Sequence, residues 1–145
     1  MERLRRALRG DDLPIGEAMH PIALAAVIVL GINDWVWKPR FPGVVTGKLS
    51  DIAGLVFAPV VLSAVIGLVR RRRITRARLA GCIAATGLGF ILVKLVPGVA
   101  AAVSVGRFRF VADPTDLLCL PALAIAAWIG ADELRRVSHS PDADR

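Results

Sequence analysis

The sequence predicts an all-α, four-helix transmembrane bundle, and composition, length and charge pattern lead to this prediction. The chain has 145 residues, of which 55% are hydrophobic and 21% are charged, and its mean hydropathy is +0.60. A soluble domain of this size has a large surface to cover with polar residues, and this chain has too few of them. The charged residues are also confined to short stretches between long apolar ones, which is typical of a polytopic membrane protein.

Four apolar stretches have about the length of a helix that crosses the hydrocarbon core, which needs about 17 residues or more. The predicted spans cover residues 20–37, 49–69, 79–96 and 116–131, and a polar tail follows over 132–145. We expect all of them to belong to one integral membrane domain. The fourth span is the shortest, which indicates local thinning of the bilayer or polar ends drawn inward.

The first span is predicted to be a retained signal anchor. Arginines precede it, as in a cleaved signal peptide, but Asn33, Asp34 and two tryptophans stand where small residues would mark a cleavage site.

Two span boundaries carry helix-end signals. Asp113 can cap a helix that begins at Pro114, and Asp116 at the third helical position complements the helix dipole. Pro97 and Gly98 predict the end of the third span.

Small residues recur at every fourth position on the third and fourth spans. Such stripes allow close approach of two helix backbones, so they predict direct packing of these spans through both stripes. An Ala-rich composition without structural meaning is the alternative. The stripes are Gly81, Ala85 and Gly89 on the third span and Ala122, Ala126 and Gly130 on the fourth.

Lysine and arginine are divided unequally between the two sides of the predicted bundle. The N-terminal segment, the loop after the second span and the tail carry thirteen of them, whereas the other side carries six. The side with the excess is normally cytoplasmic. We therefore expect a multi-pass protein of the bacterial inner (cell) membrane with both termini in the cytoplasm.

The sequence has no pattern that specifies a known catalytic or metal centre, so we expect no cofactor and no metal. There is no catalytic Ser/His/Asp order, no metal-ligand spacing and no phosphate-binding glycine loop. His20 is isolated and is expected to have a capping or interfacial role. Cys82 and Cys119 fall near opposite ends of neighbouring spans, too far apart for a disulfide, and are expected to be buried free thiols.

Nearly every charged residue outside the predicted cytoplasmic segments falls on the predicted outer side, and several lie inside the span ends. An ionisable group at the bilayer centre costs about 2.5 kcal/mol or more unless it is paired or reaches the surface. Lys48 and Asp51 are one turn apart on one helix face, and Lys94 can approach Asp116. The candidate ligand-binding residues are Lys48, Asp51, Lys94, Arg107, Asp113 and Asp116.

Bases beside carboxylates suit an anionic headgroup, so the leading hypothesis is binding of an anionic lipid or envelope precursor. One alternative is a lipid- or glycan-modifying enzyme in which Asp51 and Asp116 act as acid and base. A small homodimeric transporter, an assembly subunit and a purely structural lock of helix ends also remain open. The expected partners are membrane lipids and a second copy or a larger membrane complex. Nucleic acid is not expected, because apolar segments separate the basic residues.

Two motifs resemble those of small, functionally uncharacterised bacterial four-span membrane proteins: TGKLSDIAGL at residues 46–55 and DPTDLL at residues 113–118. The layout is also distantly similar to the VanZ-like family, with a Lys/Asp motif at the head of one span and an Arg before an Asp-initiated last span. The histidine of the first VanZ motif has no counterpart here. The resemblance implies an outer-face site that involves Lys48, Asp51, Arg107 or Arg109, and Asp116.

Overall fold

The computed structural model describes residues 15–106 and 110–138, and the regular structure within them is helical. Four helices are long and apolar enough to cross a membrane, by length and composition. The predicted all-α bundle of four long helices is thereby confirmed. In chain order the helices are α1 (Pro21–Arg40), α2 (Val44–Arg70), α3 (Arg76–Leu95), the short α4 (Pro97–Val103) and α5 (Pro114–Ser138).

Helix α1 changes its winding along its length. It is an α-helix over Pro21–Ile32, makes a π-helical turn over Asn33–Trp37 and ends with an α-helical turn, Lys38–Arg40. A π-helical turn holds more residues than an α-helical one and so alters which side chains face the bundle. Here the turn buries the polar side chain of Asn33 completely.

Helix α2 begins at Val44, earlier than the predicted start at residue 49, and ends at Arg70. Arg71 follows in the left-handed conformation with a φ of 50°, and the N–H of Arg72 donates to the carbonyl of Gly67 at 3.0 Å. This is a Schellman-type helix end. The arginine run is therefore the point at which the chain turns towards α3.

Helix α5 starts where the sequence predicts. The Oδ1 atom of Asp113 accepts a hydrogen bond from the N–H of Thr115 at 2.9 Å. The first part, Pro114–Ala122, is a 3₁₀-helix and the rest, Leu123–Ser138, is an α-helix. It continues past the predicted end at residue 131, because i,i+4 pairing of charged side chains supports a helix in a polar stretch.

Helix α3 ends at Leu95, close to the predicted end at residue 96. The predicted break at Pro97 and Gly98 is confirmed, because Val96 is extended and separates the two helices. Pro97 opens α4, a short helix that the sequence does not predict. Proline suits a first helical position because its missing N–H would have no partner there.

Helix α2 is the central element and contacts α1, α3 and α5. The apolar core includes Leu55 and Val60 of α2 and Ala126 and Ile129 of α5. Many large apolar side chains are exposed on the outside of the bundle instead, which is compatible with helices that face lipid.

The predicted packing stripe is correct for α5 and wrong for α3. On α5, Ala122, Ala126 and Gly130 are buried, whereas all three members of the α3 stripe are exposed. The α3 face that meets α5 contains Leu79, which packs on Gly130, and Gly87, where an added Cβ would lie 3.0 Å from Leu123. A fourfold spacing identifies a smooth face but not the direction in which it points.

Both cysteines are free and buried, as predicted. Cys82 lies near the start of α3 and Cys119 lies in the 3₁₀ part of α5. Because these helices are antiparallel neighbours, the two thiols lie towards opposite ends of the bundle.

Candidate functional site

Four charged side chains from three helices meet at one end of the bundle, which we call the cluster end. Lys94 of α3 donates to both aspartates, with its Nζ atom 2.8 Å from Asp51 Oδ2 and 2.7 Å from Asp116 Oδ2. Lys48 Nζ lies 2.8 Å from Asp116 Oδ1. These four residues form the aspartate–lysine cluster, which ties α2, α3 and α5 together.

The members of this cluster differ in burial. The side chain of Lys94 is 7% exposed, and its ammonium lies 5.4 Å from the centre of the Phe90 ring. The side chain of Lys48 is 26% exposed. Two lysines balance two aspartates, so the cluster carries no net formal charge, and Lys48 is its most accessible member.

The predicted pair between Lys94 and Asp116 is confirmed, but the pair between Lys48 and Asp51 is wrong. Lys48 instead reaches across to Asp116 of α5, and Asp51 pairs with Lys94 of α3. Burial explains the exchange, because the nearly enclosed ammonium of Lys94 needs carboxylates more than the partly exposed Lys48 does.

Asp113 joins the cluster indirectly, through a threonine that the sequence analysis does not single out. The Thr115 hydroxyl donates to Asp113 Oδ1 at 2.8 Å and accepts from Lys48 Nζ at 3.1 Å. An ammonium has three N–H donors. Within the described part of the chain, two of those on Lys48 have partners, Asp116 and Thr115. Arg107, the remaining candidate, lies outside the described residues, as does Arg109.

A second polar network at the cluster end joins α1 to α2. Asn33 Nδ2 donates to the Thr46 carbonyl and to Ser50 Oγ, both at 2.7 Å. Ser50 Oγ donates to Asp34 Oδ1 at 2.6 Å, and Lys38 Nζ lies 3.3 Å from the same oxygen. This network is not predicted from the sequence, because the hydroxyl of Ser50 at the start of an apolar span carries no charge signal.

The opposite end of the bundle, which we call the terminal end, holds a third network that the sequence analysis does not predict. Glu17 is 1% exposed, and its Oε1 atom accepts from Ser63 Oγ at 2.9 Å and from Arg78 Nη2 at 3.1 Å. Arg78 also donates to the carbonyls of Arg72 and Arg73 at 2.8 and 3.1 Å. The one available signal is an acid within a basic N-terminal segment.

His20 caps α1, as predicted. Its Nδ1 atom accepts from the N–H of Ile22 at 3.3 Å, and its Nε2 atom lies 3.4 Å from Asp132 Oδ2. Its ring meets the Trp128 ring edge to face at 5.5 Å between centroids. Asp132 also pairs with Arg136 at 2.5 Å. Through Glu17 and His20, these contacts clamp the segment before α1 onto α2, α3 and α5.

The aspartate–lysine cluster therefore combines two chemical possibilities: an accessible ammonium for an anion, and two carboxylates that converge on one buried ammonium. Carboxylates also accept hydrogen bonds from the hydroxyl groups of a glycerol or a sugar. No protein-family model, no curated protein and no solved structure matches this chain, so the functional assignment rests on this geometry.

Proposed function

We propose that this chain is a multi-pass protein of the bacterial inner membrane that binds an anionic lipid or envelope precursor at the aspartate–lysine cluster. The surplus of lysine and arginine at the terminal end supports a topology with both termini in the cytoplasm. The cluster end then lies at the outer face. Lys48, Asp51 and Asp116 all fall within the two motifs on which the resemblance to other four-span proteins rests.

The observation that carries this proposal is the double pairing of Asp116, which contacts both lysines. If Lys48 turns towards an incoming phosphate or carboxylate, Asp116 keeps Lys94 as its partner. No buried carboxylate is then left unpaired, so the exchange avoids the main penalty of breaking an ion pair at this depth. Lys48 is thus the group that meets the anion, and Lys94 holds the two aspartates in place.

The test is the lipid content of purified protein, measured by mass spectrometry, for wild type, Lys48→Met and Lys38→Met. Loss of one charge-assisted hydrogen bond lowers affinity about tenfold, so Lys48→Met should retain correspondingly less anionic lipid or precursor. Lys38 is the matched control, since it is an exposed lysine at the same end that pairs with Asp34. Equal retention by wild type and Lys48→Met overturns the proposal.

A second candidate is the lipid- or glycan-modifying enzyme, which is favoured by the convergence of Asp51 and Asp116 on Lys94. Two carboxylates so placed can share the work of acid and base. Asp51→Asn separates the two functions. An enzyme loses product formation while it stays folded and retains lipid, whereas a binder releases the same molecule from wild type and variant.

The transporter alternative is less well supported, because the middle of the bundle is apolar. Between the two polar ends, the buried core residues are apolar, among them Leu55, Val60, Ala126 and Ile129. A carrier of charged solutes needs a polar group near the middle of the membrane. The described carboxylates lie at the two ends instead.

A further inference from the structure

A groove runs between α3 and α5 at the terminal end and has a volume of about 530 Å³. That volume lies within the usual range for small-molecule sites, about 300–1,000 Å³. Its walls are apolar and consist of Leu79, Ala80 and Ile83 from α3 and Ala127, Ala131 and Leu134 from α5. Leu79 in one wall also packs on Gly130 of α5.

The groove changes from basic to apolar along its length. Arg76 is the first residue of α3, and Arg135 lies near the end of α5, so both bases stand at the mouth. Ile83 is two turns further along α3, about 10 Å deeper at 1.5 Å per residue. The apolar walls therefore extend from the basic mouth into the part of the bundle that the hydrocarbon core would surround.

Acidic residues of the same part of α5 face elsewhere. Asp132 pairs with His20 and Arg136, and the Glu133 carboxylate lies against Gly16, where an added Cβ would overlap it. Within the described part of the chain, the groove lining contains two arginines and no acid. The described lining of the mouth therefore carries a positive formal charge.

We propose that this groove is a binding site for an anionic phospholipid. The phosphate lies between Arg76 and Arg135, and the proximal part of one acyl chain lies along the walls formed by α3 and α5. Guanidinium groups suit this role because they bind phosphate oxygens in a bidentate manner. The site is at the opposite end of the bundle from the aspartate–lysine cluster and does not depend on the function proposed for that cluster.

The test uses the full chain in detergent, titrated with phosphatidylglycerol or phosphatidylcholine of the same acyl chains and followed by native mass spectrometry. All proteins carry Lys48→Met, so that the cluster end does not contribute. Arg76→Gln with Arg135→Gln should weaken phosphatidylglycerol binding about thirtyfold, which is about 1 kcal/mol for each arginine. Phosphatidylcholine binding should weaken less, because this lipid has the same phosphate but its choline cation leaves the headgroup without net charge. The control, Arg70→Gln with Arg71→Gln, removes the same charge at the same end but outside the groove and should bind like its parent.

A second variant, Ala127→Leu, fills the groove and leaves both arginines in place. It should weaken the binding of both lipids. If the arginine variant does not fold, the affinity of Ala127→Leu alone tests whether the groove binds lipid. Glycerol 3-phosphate, a headgroup without acyl chains, should fail to displace the lipid. The proposal is overturned if the control loses as much affinity as the groove variant, if Ala127→Leu binds normally, or if glycerol 3-phosphate displaces the lipid.

Discussion

Lys94 is the residue on which the cluster end depends most, because its buried ammonium contacts both Asp51 and Asp116. Removing it leaves Asp116 paired with Lys48 but leaves Asp51 without its lysine partner. Loss of one partner from a buried ion pair typically costs about 3 kcal/mol or more. We predict a loss of about that size in the free energy of unfolding of Lys94→Met, measured by denaturation in detergent, and a much smaller loss in Lys48→Met.

The same prediction has an internal control. Adding Asp51→Asn to Lys94→Met removes the carboxylate that has lost its only lysine, so part of the stability should return. Equal destabilisation by Lys48→Met and Lys94→Met would contradict the assignment of Lys94 as the structural lysine.

At the level of single residues, the sequence allows some contacts to be predicted and hides others. Lys94 and Asp116 are predictable partners because both are charged residues at span ends on the same side. Glu17 and Arg78 are 61 positions apart and meet through a packing arrangement that hydropathy does not encode. Ser63 of α2 donates a hydrogen bond to Glu17, and a single serine within an apolar span gives no sequence signal of such a contact.

At the level of helices, glycines in α3 and α5 that look alike in sequence have different roles. A Cβ at Gly130 would overlap the side chain of Leu79, whereas a Cβ at Gly81 would meet open space. Overpacking of this kind costs about 1–3 kcal/mol. We predict that Gly130→Ala lowers the free energy of unfolding by that amount.

Gly81→Ala is the matched variant for this comparison. It should leave stability unchanged or raise it by up to about 1 kcal/mol, because alanine favours a helix more than glycine does. Both variants are measured by the same denaturation assay. A stability loss from Gly81→Ala similar to that of Gly130→Ala would mean that the exposed α3 stripe is itself packed against a partner.

Helix positions are more predictable than helix faces. Residues 20–37, 49–69, 79–96 and 116–131 all fall largely within the observed long helices. Several helices extend beyond the predicted spans, because helix caps and charged pairs stabilise turns that hydropathy does not indicate. The inward face of α3 depends on which neighbour it meets, and no periodicity within one helix contains that information.

At the level of the whole molecule, the predicted orientation can be tested by cysteine labelling in intact cells. In a chain with Cys82 and Cys119 replaced by alanine, we place a single cysteine at Phe41 or at Arg72, both exposed positions in opposite turns. The positive-inside distribution places Phe41 outside and Arg72 in the cytoplasm. An impermeant maleimide should therefore label Phe41→Cys directly and Arg72→Cys only after permeabilisation.

The reverse pattern would move the aspartate–lysine cluster to the cytoplasmic side and exclude an outer-face ligand. It would leave the geometry of the cluster and of the groove unchanged, because neither depends on the side of the membrane. Labelling of both positions in intact cells would indicate that the bundle does not adopt a single orientation.

The position of α5 in the chain has a consequence for the order of assembly. This helix supplies Asp116 to the cluster at one end and Asp132 to His20 at the other. During synthesis, Lys48 and Lys94 both emerge before Asp116, and His20 emerges more than one hundred residues before Asp132. Of the four long described helices, α5 leaves the ribosome after the other three, and its docking therefore adds ion pairs at both ends of the bundle in a single step. Until that step, Lys48 lacks its partner Asp116 and His20 lacks its partner Asp132.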